Sequence, residues 1–251
     1  MTAASIDASG DTMSDTPPPI RPREALAAFL IAVIFSITLK AGLDQIVWKF
    51  AGPITLIVTL GLATLYLHRR GESWRELGLR RLGGWKSILL VAPQTLLGIV
   101  AILGTGVGVT AGGEALGLWS TDLPSEGIEA RWGDIQGNLP VYLLWLALGW
   151  ISGGLFEELF FRAFMISRLQ RAFSGLPKAL ATGLAILLPA LVFGYGHFYY
   201  QGLRGLVVTG MIGVVLGVLY LVYKRNLWPL ILAHALVDSL AFTAMYLDLD
   251  I

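Results

Sequence analysis

Three short clusters of ionisable residues interrupt long apolar stretches of this chain: Glu157-Glu158 with Arg162, His197 four residues after Phe193, and His234 four residues before Asp238. A charge at the centre of a membrane span is unfavourable by roughly 2.5–3.5 kcal/mol on insertion scales. Glu157, Glu158, Arg162 and Asp238 left unpaired in lipid would therefore cost on the order of 10 kcal/mol. A chain that keeps them is expected to gather them into one polar site. Their types suit hydrolysis: a buried carboxylate can take a proton from water, and imidazoles with a second carboxylate can orient that water or meet an oxyanion. The same four groups, Glu157, His197, His234 and Asp238, can instead ligate a divalent metal such as zinc that activates the water. Spacing alone leaves both open. It leans toward a metal-free site, because His197 and His234 lie on different segments, unlike the histidine pair of an H-E-x-x-H zinc helix.

On a helix, Glu158 and Arg162 are four residues apart and share a face, so they can pair. Glu157 lies about 100° around the axis from Glu158 and is expected to face a different cavity. Glu157 is accordingly assigned to chemistry, and Glu158, Arg162 and Phe193 to support. Each cluster alone also fits a packing role: an ion pair locking two helices, a hydrogen-bonded histidine, or a His–Asp clasp. Cysteine is absent, and no serine sits in a G-x-S-x-G turn, so neither nucleophile is indicated.

The elements that must position these groups are helices in a membrane. The chain has 251 residues, of which 55% are hydrophobic and 14% charged, against about a quarter charged in soluble domains. Mean hydropathy is +0.70. The expected fold is an all-α polytopic transmembrane helix bundle of about seven spans, near 25–45, 52–68, 86–110, 139–171, 178–198, 203–223 and 227–246. Residues 1–24, polar with a Pro17-Pro18-Pro19 run, are expected to be a disordered cytoplasmic tail without signal-peptide features. Residues 25–251 would form the transmembrane domain. Gly71–Trp85 mixes tryptophan, leucine and arginine, which suits a short helix at the headgroups or a solvated loop.

With seven spans, thirteen of the 18 Lys and Arg residues fall on one side, four (Lys40, Lys49, Arg131, Arg204) on the other, and Arg162 within a span. That split places the N-terminus in the cytoplasm and the C-terminus outside a cytoplasmic membrane. The basic residues form no stripe suited to nucleic acid, so no nucleic-acid partner is expected.

The order Glu157-Glu158-x-x-x-Arg162, Phe193-x-x-x-His197, His234-x-x-x-Asp238 resembles the E-E-x-x-x-R, F-x-x-x-H and H-x-x-x-N/D motifs of the CPBP family of intramembrane proteases. That family includes type II CAAX prenyl endopeptidases and bacteriocin-processing or self-immunity proteins. The resemblance covers about 140–245, with Asp238 where the eukaryotic CAAX enzymes carry Asn. It implies an intramembrane endopeptidase acting on a peptide or membrane-protein substrate within the bilayer, with Glu157 and His197 on the water and the last motif at an oxyanion or metal. Two rivals remain: a non-catalytic scaffold or immunity protein, and a proton- or metal-coupled transporter. Visible inverted repeats, which would favour the transporter, are lacking.

Overall fold

Apolar chain in lipid must satisfy its backbone internally, so helices are the economical solution for segments of this composition. The structure, a computed structural model, describes residues 20–120 and 126–249, and among these it is helical with no strands. Helix α1 spans Pro22–Val47, α2 Ala51–Arg69, α3 Trp85–Ala115 and α4 Glu126–Trp132. A long fifth unit follows: α5 Leu139–Leu148, a π-helical segment Gly149–Met165, and α6 Ile166–Ala172. Helix α7 runs Lys178–Val222 and α8 Trp228–Leu247. Prolines stand in the first turn of α1, α5 and α8, where no intrahelical N–H is lost. Of the expected tail, residues 1–19 lie outside the described residues. Pro22–Glu24 already belong to α1.

Among the described residues, five helical stretches are long and apolar enough to cross a membrane: Pro22–Arg69, Trp85–Ala115, Leu139–Ala172, Lys178–Val222 and Trp228–Leu247. The sequence led us to expect about seven. The difference arises where two pairs of expected segments run on without a break. Helix α1 reaches α2 through a 3-10 turn at Trp48–Phe50, after Val47 leaves helical geometry. The 45 residues of α7 reverse at Gly202, whose φ of 60° and ψ of −152° lie in a region open essentially only to glycine.

Both joined pairs are antiparallel hairpins. In the first, Ser36 Oγ meets Thr59 Oγ1 at 3.2 Å and Arg70 Nη2 meets Glu24 Oε2 at 3.2 Å. In the second, a Cβ added to Gly194 would lie 3.0 Å from Gly210 Cα, one on Gly213 3.1 Å from Ala190 Cα, and one on Gly217 2.9 Å from Ile186 Cγ2. Small residues let helices approach where lipid gives no hydrophobic drive between them. Large apolar side chains such as Ile31, Ile34, Leu89, Val100 and Val107 point outward, as a lipid-facing surface requires.

Gly71–Trp85 forms no surface helix; up to Gly84 it is a loop, mostly exposed, with Leu77 and Gly78 buried. It is an irregular strap docked on the helix ends. Leu77 is buried, its carbonyl accepts from Tyr220 Oη at 2.6 Å, the Arg80 carbonyl accepts from Trp228 Nε1 at 2.9 Å, and the Gly78 carbonyl accepts from Leu227 N at 3.1 Å. Glu72 clamps the same end by pairing with the fully buried Arg168 and, at 2.9 Å, with Arg171. Backbone acceptors occupied by two side chains and one backbone amide hold the strap better than its helix propensity predicts.

The α7 hairpin is tested by volume. Gly194→Val is expected to destabilise the protein by about 1–3 kcal/mol through overpacking, visible as a lower thermal-unfolding midpoint in detergent. Gly183→Val, where nothing lies within 4 Å of an added Cβ, is expected to leave that midpoint nearly unchanged.

Candidate active site

The π-helical segment carries Glu157, Glu158 and Arg162. A π-helix has more residues per turn than an α-helix, so neighbours are less rotated from one another. Adjacent carboxylates can then reach the same object. Here that object is one imidazole. His234 Nδ1 donates to Glu158 Oε1 at 2.9 Å, while Nε2 stands 3.8 Å from Glu157 Oε2 and 3.9 Å from Asp238 Oδ1. Glu157 lines a cavity and Glu158 is buried away from it, yet the two address opposite nitrogens of His234. Glu158 Oε1 also meets Arg162 Nη1 at 3.2 Å, and both side chains are almost wholly buried. Arg162, Glu158 and His234 thus form one buried chain of charge-assisted contacts.

Helix α8 approaches closely enough for this because its neighbours are glycines. A Cβ on Gly154 would lie 2.7 Å from Ala235 Cβ and 3.0 Å from the Ile231 carbonyl oxygen. One on Gly149 would lie 3.2 Å from Asp238 Cβ, and one on Gly153 would collide with Asp238 Oδ2. The glycines thus set the position of Asp238 as well as the helix separation.

His197 arrives from the first arm of α7. Its Nδ1 donates to the Phe193 carbonyl at 2.9 Å, which leaves Nε2 free to face the site. The Phe193 ring is the common neighbour: its centroid is 4.9 Å from His197, 6.3 Å from His234 and 4.7 Å from Arg162 Cζ. Glu157, His197, His234 and Asp238 all line one cavity of about 380 Å3. Its other walls include Lys40, Gly52, Arg131 and Tyr200, all close to the α1–α2 and Gly202 reversals or in the segment before α5. The cavity therefore lies toward the end of the bundle opposite the Gly71–Trp85 strap. Among the described residues no three His, Asp or Glu side chains are disposed to hold a metal ion together.

Residues 139–240, the stretch that supplies every one of these polar groups, match the family model described as Type II CAAX prenyl endopeptidase Rce1-like. They form an Rce1-like domain. This bears out the CPBP family recognised from the three motifs. No curated protein and no solved structure matches the chain. The Rce1-like domain does not include α1 to α4, yet those helices contribute Lys40, Gly52 and Arg131 to the cavity. The chain thus joins an Rce1-like stretch to helices that, among the described residues, are long and apolar enough to cross a membrane.

Sequence reasoning missed two features. The Glu158–His234 contact joins residues 76 apart, and no local pattern reports it. Arg131 gave no motif and was counted only as a loop charge, although it is buried in the cavity wall.

Burial separates the two adjacent glutamates in a folding experiment. Arg162→Ala leaves the fully buried Glu158 without its cation, an imbalance expected to destabilise by about 3–5 kcal/mol. Glu157 is 18% exposed on the cavity wall, so Glu157→Gln is expected to leave stability nearly intact. Unfolding curves of the purified variants in one detergent measure both.

Proposed function

We propose that the protein is an intramembrane endopeptidase that hydrolyses a peptide bond with a water activated by Glu157. The observation that carries the reading is the setting of His234: Nδ1 fixed by Glu158 at 2.9 Å, and Nε2 flanked by Glu157 at 3.8 Å and Asp238 at 3.9 Å inside the shared cavity. The two longer separations exceed a hydrogen bond and suit polar groups bridged by one water. In this mechanism Glu157 takes a proton from the water as its oxygen attacks the carbonyl carbon. The Nε2–H of a doubly protonated imidazole, from His197 or His234, meets the oxygen on which negative charge develops, since Nδ1 of each ring already donates elsewhere. When the tetrahedral carbon collapses, the C–N bond breaks and Glu157 returns the proton to the leaving amine. Asp238 holds the water and the His234 ring in register. Glu158, Arg162 and Phe193 act through His234 and His197 by fixing their position.

The topology belongs to the same proposal. Each hairpin supplies two arms, so α1, α2, α3, the Leu139–Ala172 unit, both arms of α7, and α8 make seven crossings. A straight 45-residue helix would be about 68 Å long, more than twice the ~30 Å hydrocarbon core, which supports counting α7 twice. The 13:4 division of basic residues then sets the N-terminus in the cytoplasm and the C-terminus outside a cytoplasmic membrane. The cavity opens toward the outer face, and the strap with Arg168 lies on the cytoplasmic one. The substrate is a peptide or a membrane-protein segment reaching the site from the outer side or within the bilayer.

Three measurements test these statements. Membranes containing the parent protein are expected to release peptides that membranes containing Glu157→Gln do not, and identical release would leave the scaffold reading in place. Reporter fusions after residue 24 and after residue 250 are expected to report opposite sides. Chelation is expected to leave peptide release intact. Stoichiometric bound zinc, with activity lost on chelation and restored by zinc, would instead make Glu157, His197, His234 and Asp238 metal ligands.

A further inference from the structure

The outer wall of the cavity holds a cation that the proposed chemistry does not use. Arg131, in α4, is 8% exposed and lines the same cavity as Glu157 and His197. Two other cations at this end are neutralised: Lys40 pairs with Asp44 at 2.8 Å, and Lys49 with Asp134 at 3.2 Å. Among the described residues no carboxylate pairs with Arg131, and its buried Nε has no hydrogen-bond partner. Three aromatic rings surround it instead, with Cζ 4.8 Å from the centroid of Tyr200, 5.3 Å from Trp132 and 5.6 Å from Trp145. Ring faces stabilise a guanidinium, but they accept none of its five N–H donors in the planar fork that matches a carboxylate. A buried charge of this kind calls for a partner.

We propose that Arg131 is a carboxylate-binding subsite for the substrate peptide. The proposal rests on the endopeptidase reading for the nature of the ligand and on the geometry of Arg131 for its charge. Tyr200 links the two regions: its ring is 5.5 Å from that of His197 and 4.8 Å from Arg131 Cζ. The guanidinium is therefore at most about 10 Å from His197, a distance that roughly three residues of extended peptide cover. A carboxylate within about three residues of the scissile bond thus reaches Arg131 while the bond lies beside Glu157. That carboxylate is either an acidic side chain or the α-carboxylate that ends the peptide. Binding it would fix the register of the peptide against the water. Arg131 lies outside the matched 139–240, so this selectivity would belong to the first half of the chain.

The test uses the full-length Glu157→Gln protein in nanodiscs of zwitterionic lipid, which binds without turning over. The probes are four pentapeptides built on one apolar sequence: with a free C-terminus, with an amidated C-terminus, and amidated with one residue replaced by Glu or by Lys. Affinities come from thermophoresis. At least one carboxylate probe is expected to bind on the order of tenfold or more tightly than the neutral amide, the scale of a charge-assisted hydrogen-bond pair. Which of the two does so identifies the source of the carboxylate. The preference is expected to vanish with Arg131→Gln, to return at least in part with Arg131→Lys, and to reverse with Arg131→Glu toward a Lys-bearing probe. Lysine rescue and charge reversal separate recognition from a folding defect, which would lower affinity for all probes alike. The subsite is overturned if no carboxylate probe binds more tightly than the amide, or if the preference survives Arg131→Gln. It is also overturned if discs of anionic phosphatidylglycerol abolish the preference, which would make a lipid phosphate the occupant. Failure of the endopeptidase reading looks different: no Glu157-dependent peptide release from membranes, with the Arg131-dependent preference intact.

Discussion

A single carboxylate oxygen, Glu158 Oε1, faces both Arg162 and His234, and the whole site is arranged around it. In a low-dielectric interior an ionised carboxylate needs a cation and hydrogen-bond donors. Arg162 supplies the first from one turn along the same segment. His234 supplies a donor from another helix, so the burial requirement ties α8 to the π-helical segment. Once Nδ1 is committed to Glu158, the opposite nitrogen of the ring must face Glu157 and Asp238. Orientation of the functional edge is thus a consequence of satisfying a structural charge. The Gly149, Gly153 and Gly154 surface is the steric counterpart, since side chains there would drive α8 and Asp238 away.

The amount of this that was legible in the sequence follows the range of the interactions. The pairing of Glu158 with Arg162 and the shared face of His234 and Asp238 were readable, because four-residue spacing places side chains together on any helix. The bundle class was readable from hydropathy. The π-helical widening was not, and it accompanies the approach of both Glu157 and Glu158 to one ring. The Glu158–His234 bond was also invisible, because it depends on packing between distant segments. The anchoring of the strap at Gly71–Trp85 was not legible for a related reason: it comes from Tyr220, Leu227 and Trp228 binding the strap's carbonyls. The gaps left between expected spans at 45–52 and 198–203 contain the reversals at Trp48–Phe50 and Gly202, across which the helices run on as one stretch each.

The two halves of the chain divide the labour. The Rce1-like residues 139–240 bring Glu157, His197, His234 and Asp238 together on three helical units. Helices α1, α2 and α4 wall the cavity, with Lys40 already satisfied by Asp44 and Arg131 held among aromatic rings. Under the proposed function, such an arrangement would separate what breaks a bond from what selects it. A shared polar core can then serve different substrates when the surrounding helices change, without disturbing the Arg162–Glu158–His234 chain on which the core depends.

That chain is most directly tested by 15N magic-angle-spinning NMR of the protein in lipid with 15N-labelled histidine, of which the sequence has only three. The account requires His234 Nδ1 to carry a proton in a strong hydrogen bond, and requires that resonance to shift when Glu158 is replaced by Gln while His68 and His197 stay in place. A His234 Nδ1 without a proton, or one indifferent to Glu158→Gln, would contradict the account, because nothing would then fix the edge that faces Glu157 and Asp238.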